Sequence, residues 1–332
     1  MALNPNAPLD REGLDEAVQA VWSATKIVLA CHINPDGDAL GSMLGLGLGL
    51  EALGKDVTYL SADGVPETLE FLPGSGKVKT HTERYDFQLG VGLDAGDVKR
   101  LGGNAETILA APLVMDIDHH VTGGQFGQVR LLDATSASTA ELVYDLLLAL
   151  GVEITLEIAQ CLLCGVLTDT GSFRFSNTKP RTMAVGGALI AAGASPTTIY
   201  ESVYENASFG AQKLLGRAMD RMARSDDGKL VWSWVTQADF TEFGANDKDT
   251  DGIATALRAV RGAEVAVFLR QMPSGKMRVS LRAKDPWDVA SVAAQFGGGG
   301  HRLASGCSLD GPPEAAVKAL LDALTTAYET TP

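Results

Sequence analysis

The sequence predicts an α/β protein of two domains: a parallel sheet with flanking helices, then a smaller α/β C-terminal domain with a mixed sheet. Three observations predict this class. In the first half of the chain, short apolar runs alternate with longer segments of helical periodicity, as in βαβ units. The second half contains a β-hairpin pattern, and 332 residues are many for one domain. We expect the active site in the cleft between the two domains.

The first half contains four apolar runs of strand length, each followed by a polar loop. We predict strands over 26–31, 57–61, 87–93 and 113–117, and helices over 14–24, 39–53, 138–150 and from 155 onward. Ser138 and Glu141 have the spacing of a capping box for the third of these helices. Because open parallel sheets bind ligands at the carboxyl ends of their strands, the polar loops there are the first candidates for a site.

The composition changes after about residue 194. We predict a first domain over 1–193, a helical linker over 194–212 and a second domain over 213–332. The second domain is predicted to contain strands over 230–235, 265–269, 277–282 and 303–309, and helices over 211–223, 285–296 and 313–328. Residues 256–302 hold eight Lys or Arg against three Asp or Glu, so this segment is where we expect ligand phosphates to bind.

Composition and charge exclude several classes of protein. A hydrophobic content of 45% supports a full core, and a net charge of −14 argues against a protein that holds long nucleic acid by counterion release. Four scattered cysteines do not make a disulfide scaffold, and Cys161 and Cys164 are expected to be buried core thiols. Since the sequence shows neither a signal pattern nor a long apolar run, we expect a cytoplasmic protein without a membrane partner.

Acids and histidines follow the predicted strands and one predicted helix. Asp116-Ile117-Asp118-His119-His120 ends an apolar run, a sequence that packing explains poorly. His32 lies four residues before Asp36, and Gly37 separates Asp36 from Asp38, which allows both carboxylates to face one point. Asp94 follows another strand. Asp169 ends a helix next to Thr168, Thr170 and Ser172, whose hydroxyls we expect to orient it.

These positions predict a metal centre. The predicted ligands are His32, Asp36, Asp38, Asp94, His119 and Asp169, with His120 beside them. Six oxygen and imidazole ligands exceed what one ion requires, so they favour two divalent cations of the Mg²⁺ or Mn²⁺ type. Two such cations suit the hydrolysis of phosphate esters, because they can share an activated hydroxide and stabilise the leaving oxygen.

A run of four glycines, 297–300, precedes His301 in the basic segment. Glycines let backbone N–H groups approach a phosphate or a base edge more closely than other residues do. The residues expected to bind the substrate there are Ser280, Arg282, Gly299, Gly300, His301 and Ser305. For base stacking, Phe173, Phe175 and Trp287 are the aromatic candidates, although each is favoured as a core residue.

The motifs HINPDGDALGS, LDAGD, DHH and LTDTGSF occur in the order typical of the DHH phosphoesterase superfamily, which the chain resembles. The segments VSLRAK and FGGGGHRLASG resemble that superfamily's DHH-associated C-terminal domain, and together these motifs cover nearly the whole chain. Length and the short connector resemble the NrnA-type nano-RNases, also called pAp phosphatases. The resemblance implies hydrolysis of short oligonucleotides to 5′-mononucleotides and of 3′-phosphoadenosine 5′-phosphate (pAp) to AMP.

The resemblance also implies roles for single residues. Asp94 is expected to bridge the two cations, which would be Mn²⁺ by preference, with Mg²⁺ possible. The first cation would be bound by His32, Asp36 and Asp94, and the second by Asp38, Asp94, His119 and Asp169. Asp94, His119 and His120 would take part in catalysis, with His120 facing the scissile phosphate. Asp118 would orient a neighbouring histidine or cap the loop.

The partners expected from this resemblance are short oligonucleotides and phosphorylated nucleotides, not long duplexes, together with a second copy of the chain in a homodimer. Four other functions stay open at this point. They are a RecJ-like exonuclease for single strands, a phosphodiesterase for cyclic di-AMP or its linear product pApA, a family II pyrophosphatase, and a non-enzymatic protein that senses nucleotides. Acidic charge argues against the first of these, and the glycine-rich tail argues against the pyrophosphatase.

Overall fold

A computed structural model describes residues 7–9, 11–120, 124 and 126–329. The chain divides into two compact units, residues 1–206 and 207–332, with a boundary inside the predicted linker. We describe the two units separately, as the N-terminal unit and the C-terminal unit.

The N-terminal unit contains a five-stranded, fully parallel sheet with the strand order β2-β1-β3-β4-β5. The strands are β1 (Lys26–Cys31), β2 (Asp56–Leu60), β3 (Leu89–Leu93), β4 (Leu113–Asp118) and β5 (Val129–Leu132). The predicted parallel sheet is therefore confirmed. Strand β5, a four-residue edge strand in which Arg130 is exposed, was not predicted because it lacks a continuous apolar run.

Helices cover both faces of this sheet, which explains why its strands are apolar runs rather than alternating patterns. The helices are α1 (Leu14–Ser23), α2 (Gly37–Ala52), α3 (Ala105–Leu109), α4 (Thr139–Ala149), α5 (Leu156–Asp169), α6 (Pro180–Ala191) and α7 (Pro196–Tyr204). Helix α2 packs closely against α5 because Gly41 has no side chain: a Cβ there would lie 2.3 Å from the Cys161 carbonyl oxygen. This close packing brings the start of α2 beside the end of α5.

The C-terminal unit contains a six-stranded mixed sheet with the strand order β10-β11-β9-β8-β7-β6, as the prediction of a mixed sheet required. The strands are β6 (Ala223–Arg224), β7 (Leu230–Val235), β8 (Val265–Gln271), β9 (Met277–Ala283), β10 (Gly299–His301) and β11 (Ala304–Leu309). Strands β7 and β8 pair in parallel, and the other pairs are antiparallel. The predicted glycine loop thus ends in an edge strand, β10.

Among the described residues of this unit, five α-helices pack on the two faces of the mixed sheet. They are α8 (Phe209–Asp220), α9 (Gln237–Phe243), α10 (Ile253–Arg258), α11 (Val289–Gln295) and α12 (Pro313–Glu329). One apolar core lies between the sheet and α11 with α12, and the other lies between β7, β8 and α8 to α10. The second face of β9, β10 and β11 carries mostly polar and small side chains.

Within the described residues, no single helix has the length and apolar character needed to cross a bilayer. Helices α6 and α7 meet at an angle of 104°, and only when taken together as a bent pair are they long and apolar enough to do so.

Candidate active site

The sheet order brings the predicted ligands together at one edge of the N-terminal unit. Strands β1, β3 and β4 are neighbours, and His32, Asp94 and His119 follow their carboxyl ends. Asp36 is the N-cap of α2, and Asp169 is the last residue of α5. Four segments that are distant in sequence therefore meet at one place, as expected for an open parallel sheet.

Three groups of side chains place their ligand atoms within 4.8 Å of one another. The groups are His32 with Asp36 and Asp94, Asp38 with His119 and Asp169, and Asp94 with His119 and His120. The His119 Nε2 atom lies 3.1 Å from an Asp169 oxygen and 3.5 Å from an Asp94 oxygen. His32 Nε2 lies 3.5 Å from the other oxygen of Asp94. Asp94 thus lies between the two histidines.

The two histidines direct the same ring nitrogen toward the carboxylates. The Nδ1 atom of His32 lies 2.7 Å from the carbonyl oxygen of Ile33, and that of His119 lies 3.4 Å from the carbonyl oxygen of Ser136. Since Nδ1 can donate its proton to these carbonyls, the Nε2 lone pair is left for a cation.

Asp38 is fixed by the N-terminus of a helix far away in sequence. Its carboxylate accepts from the backbone N–H groups of Thr139 (2.6 Å) and Ala140 (2.9 Å), at the start of α4. The Ser42 hydroxyl donates to the same carboxylate at 3.1 Å. A Cβ at position 165 would lie 2.5 Å from an Asp38 oxygen, so Gly165 gives the carboxylate its space.

This arrangement corrects the predicted capping box. Ser138 is the N-cap residue of α4, but its side chain makes no capping hydrogen bond. Asp38 provides the cap from another element, which satisfies the first N–H groups of the helix and places a negative charge at the positive end of its dipole. A predicted metal ligand and a helix start are therefore held by the same contacts.

Asp94 has a left-handed backbone conformation, with φ of 56°, where the chain leaves β3. Its side chain is buried, and the Thr139 hydroxyl donates to it at 2.9 Å. Thr139 was not among the predicted site residues. It binds Asp38 through its backbone and Asp94 through its side chain, and so links two of the carboxylates.

The environment of Asp169 differs from the prediction. The hydroxyls of Thr168 and Thr170 donate to carbonyl oxygens of α5, among them those of Cys164 and Val166. These threonines stabilise the end of the helix and do not orient Asp169, whose carboxylate contacts His119.

The cluster concentrates negative charge in a buried place. Burial, together with the charges of Asp94 and Asp169, raises the pKa of Asp38 well above its usual range. Burial alone would lower the pKa of His119, but its hydrogen bond to Asp169 and the nearby carboxylates raise it to about 10. The neighbouring acids likewise raise the pKa of His32 to about 10 against the effect of burial. The cluster therefore requires positive charge.

This donor set fits divalent cations. The three groups offer carboxylate oxygens and imidazole nitrogens and contain no cysteine, which suits Mg²⁺ and Mn²⁺ better than a structural zinc ion. The protons that these histidines retain without a cation would be released when one binds. The predicted ligands thus lie close together, and the number of cations they bind stays a prediction.

His120 is held by a different acid. Asp118 accepts from His120 Nδ1 at 2.7 Å and from the His120 backbone N–H at 3.0 Å, and it also accepts from the Gly96 N–H. The hydrogen bond to Asp118, opposed by burial, raises the pKa of His120. Its Nε2 atom lies 3.5 Å from the Arg100 guanidinium. The expected orienting role of Asp118 is confirmed, and Arg100 is a further cation that sequence reasoning missed.

The predicted substrate residues of the C-terminal unit lie on three neighbouring strands. His301 pairs with Ala304, which pairs with Arg282, and two rows along the sheet Gly299 pairs through Gly306 with Ser280. Directly paired residues of antiparallel strands share a face. His301, Arg282, Ser280 and Gly299 therefore lie on one face of the sheet, and Arg278 lies on the same side of β9. We call these five residues the basic face.

The prediction that Ser305 lies with the other substrate-binding residues on this face is wrong. It pairs with Leu281 and Gly300, so its side chain lies on the opposite, core side of the sheet. There it is buried, and its hydroxyl donates to the Val289 carbonyl oxygen at 2.6 Å. Gly300 in the same row has φ of 140°, a conformation that favours glycine.

Comparisons with known proteins agree with this geometry. The model of the DHH family, N-terminal domain, matches residues 26–166, and the model of the DHHA1 domain matches residues 227–330. Fold and site define a phosphoesterase, an enzyme that hydrolyses phosphate esters. The chain belongs to the DHH family, as its motifs predicted. This supports an enzyme over a non-enzymatic nucleotide sensor.

Two curated relatives cover most of the chain. The bifunctional oligoribonuclease and PAP phosphatase NrnA of Thermus thermophilus is 36% identical over 287 residues, which make up 86% of this chain and 84% of that protein. The protein of the same name from Bacillus subtilis is 28% identical over 302 residues, 89% of this chain and 92% of the relative.

Solved structures confirm the fold class. An exopolyphosphatase-related protein from Bacteroides fragilis superposes with a TM-score of 0.85 at 28% identity, covering 95% of this chain and 96% of that one. RecJ from Thermus thermophilus in complex with Mn²⁺ has a TM-score of 0.58 at 16% identity, covering 98% of this chain and 56% of RecJ. The RecJ likeness is one of fold. The predicted cleft between the domains stays a prediction.

Proposed function

We propose that the chain hydrolyses short oligonucleotides to 5′-mononucleotides and pAp to AMP, with two divalent cations, preferably Mn²⁺. The observation that carries this proposal is the convergence of His and Asp ligand atoms into three groups within 4.8 Å. The name shared by the two curated relatives, a bifunctional oligoribonuclease and PAP phosphatase, supports the choice of substrates.

In this proposal the predicted ligands form two cation sites that share Asp94. His32, Asp36 and Asp94 would hold one cation, and Asp38, Asp94, His119 and Asp169 the other. When bound, such cations lower the pKa of the attacking water and neutralise the phosphoryl oxygens. The chain itself fixes the ligands, through the Ile33 carbonyl at His32 and the α4 N–H groups at Asp38.

His120 is proposed to face the scissile phosphate. Asp118 fixes the ring through Nδ1, so Nε2 is the atom available to contact a phosphoryl oxygen or to give a proton to the leaving oxygen. Arg100, beside Nε2, adds a positive charge at the same place.

The basic face is proposed to bind the nucleotide that releases its 3′-oxygen. Arg282 is half-buried, donates to the Leu281 carbonyl, and makes no ion pair within the described residues, so its charge is available for a phosphate. His301, Ser280 and the backbone of Gly299 lie on the same face. Both reactions expel a ribose 3′-oxygen, so one cation pair and one nucleotide site can serve both.

The experiment is a product time course with metal-depleted protein to which Mn²⁺ or Mg²⁺ is returned. Substrates are RNA oligonucleotides of two to twenty-four residues, pAp, pApA and cyclic di-AMP. We expect rapid conversion of the shortest oligonucleotides and of pAp to mononucleotides with Mn²⁺. Faster cleavage of long single strands would favour a RecJ-like exonuclease, and selective opening of cyclic di-AMP would favour that phosphodiesterase. Size measurement in solution tests the expected homodimer.

A further inference from the structure

Two neighbouring cavities of the N-terminal unit share one aromatic side chain. The first, of about 340 Å³, is lined by the predicted ligands Asp36 and Asp169 and by Tyr204. The second, of about 390 Å³, is lined by Phe173, Tyr200 and again Tyr204. The second volume is within the range of small-molecule sites. A built cavity therefore adjoins the candidate metal centre, with Tyr204 between them.

The aromatic rings at this place are exposed. Tyr200 and Tyr204 follow each other by one turn of α7, with ring centroids 5.2 Å apart, and their exposed fractions are 45% and 46%. By contrast Tyr59 and Tyr144 are buried. Exposed rings beside a site for phosphate chemistry are suited to stacking on nucleobases, since every base has a flat π-face.

The charge of the second cavity selects against phosphate. Its lining contains Glu201 and Glu205 and, among the described residues, no Lys or Arg. A phosphate group would be repelled by these carboxylates, whereas the amino groups of a base can donate to them. A neutral, flat, hydrogen-bonding group fits both the rings and the acids.

We propose that this cavity binds the nucleobase of the nucleotide that keeps the scissile phosphate, with the base stacked on Tyr204. The proposal rests on the function proposed above, in which the basic face binds the nucleotide that releases its 3′-oxygen. The dinucleotide pApA has a base for each position, whereas pAp ends at the scissile phosphate and has none for this cavity. The cavity thus distinguishes oligonucleotides from pAp.

The test compares the hydrolysis of pApA and pAp by Tyr204→Ala, Tyr204→Leu and Tyr204→Phe in Mn²⁺. We expect the ratio of kcat/KM for pApA to that for pAp to fall about tenfold in the Ala and Leu variants, the size of one lost base stack. Tyr204→Phe keeps the ring and should keep the ratio. Tyr204→Leu keeps apolar volume, so the Leu variant separates stacking from folding. Tyr85→Ala, at an exposed tyrosine that lines neither cavity, is the control.

A second substrate isolates the base. In a pApA analogue without the second adenine, wild-type protein should lose about tenfold in kcat/KM, and Tyr204→Ala should show no such difference between pApA and the analogue. An unchanged pApA-to-pAp ratio in Tyr204→Ala, or equal losses on both substrates, would overturn the base site while leaving the proposed function in place. Wild-type protein that hydrolyses neither substrate would overturn both proposals.

Discussion

The two units concentrate charges of opposite sign. The N-terminal unit packs four carboxylates, Asp36, Asp38, Asp94 and Asp169, around two histidines, whereas the C-terminal unit presents cations on its basic face. The first arrangement suits metal cations, and the second suits phosphates. A net charge of −14 for the whole chain conceals this division. Local charge, rather than the total, indicates the ligand of each unit.

The two regions also differ in how their side chains are held. Asp36 and Asp38 each accept from two backbone N–H groups at a helix start. Within the described residues, the Arg282 side chain makes one hydrogen bond, 3.0 Å to the Leu281 carbonyl oxygen, and is half-buried. We therefore expect substitutions in the acidic cluster to lower activity more than substitutions on the basic face.

The largest effect is expected for Asp38→Asn. The second cation site loses a charged ligand, and the new amide NH2 would replace the oxygen that accepts from either Thr139 N–H or Ala140 N–H, so one of these two donors loses its acceptor. We expect kcat to fall on the order of a thousandfold at saturating Mn²⁺, with loss of most of the Mn²⁺-induced rise in Tm. Near-normal rates in saturating Mn²⁺ would contradict the assignment. Asp63→Asn, outside the three groups, is the control.

Arg282→Ala should have the next largest effect. Removal of a charged donor to phosphate should lower kcat/KM for pAp and for dinucleotides by similar factors, on the order of ten- to a hundredfold. Steady-state kinetics on both substrates measure this. Arg261→Ala removes an exposed arginine of the same basic segment and should leave both rates near wild type. A loss confined to one substrate would show that the basic face does not serve both reactions.

Thr139→Val should weaken the cation sites without removing a ligand. The variant keeps the backbone N–H bonded to Asp38 but deletes the hydroxyl bonded to Asp94. Calorimetric titration with Mn²⁺ should show affinity lowered roughly tenfold, as is typical for loss of a group that orients a ligand. Thr139→Ser keeps the hydroxyl and should restore most of the affinity. Equal affinities of the Val variant and wild type would rule out this role.

The smallest effect concerns the stability of the C-terminal unit. Burial alone would raise the pKa of Asp239, but its hydrogen bonds with Arg221 and Thr236 lower it. A lowered pKa means that this stabilisation is full above the unfolded pKa and is lost as the pH falls through the folded value. We expect Asp239→Asn to lower Tm by roughly 5 °C at pH 6 and by less near pH 3. A difference in Tm between Asp239→Asn and wild type that grows as the pH falls would contradict the lowered pKa of Asp239.

Much of the candidate site could be predicted from the sequence because the geometry of a parallel sheet is regular. Apolar runs located the strands, and the carboxyl ends of neighbouring parallel strands lie at one edge of the sheet, so the sequence predicts that His32, Asp94 and His119 lie together. Thr139 could not be found in this way. It meets Asp38 across 101 positions of the chain, and no local pattern indicates that Asp38, rather than Ser138, caps α4.

Strand register limited how well the residues of the basic face could be predicted from the sequence. Ser280, Arg282 and Ser305 were predicted as one group from their nearness in sequence to the hairpin and the glycine run. The observed pairing aligns Ser305 with Leu281 instead of Ser280, and one position is enough to turn a side chain to the other face. The edge strands β5 and β10 were missed for a related reason, since each is too short to show a period.

The left-handed backbone of Asp94 restricts which replacements this position can accept. Aspartate, asparagine and glycine tolerate a φ of 56°, whereas longer side chains are disfavoured there. Glutamate would keep the charge and strain the main chain, and asparagine would relax the main chain and discard the charge. In the proposed mechanism, the single-nucleotide change from an aspartate to an asparagine codon would therefore keep the backbone conformation and remove the charge that the two cation sites share.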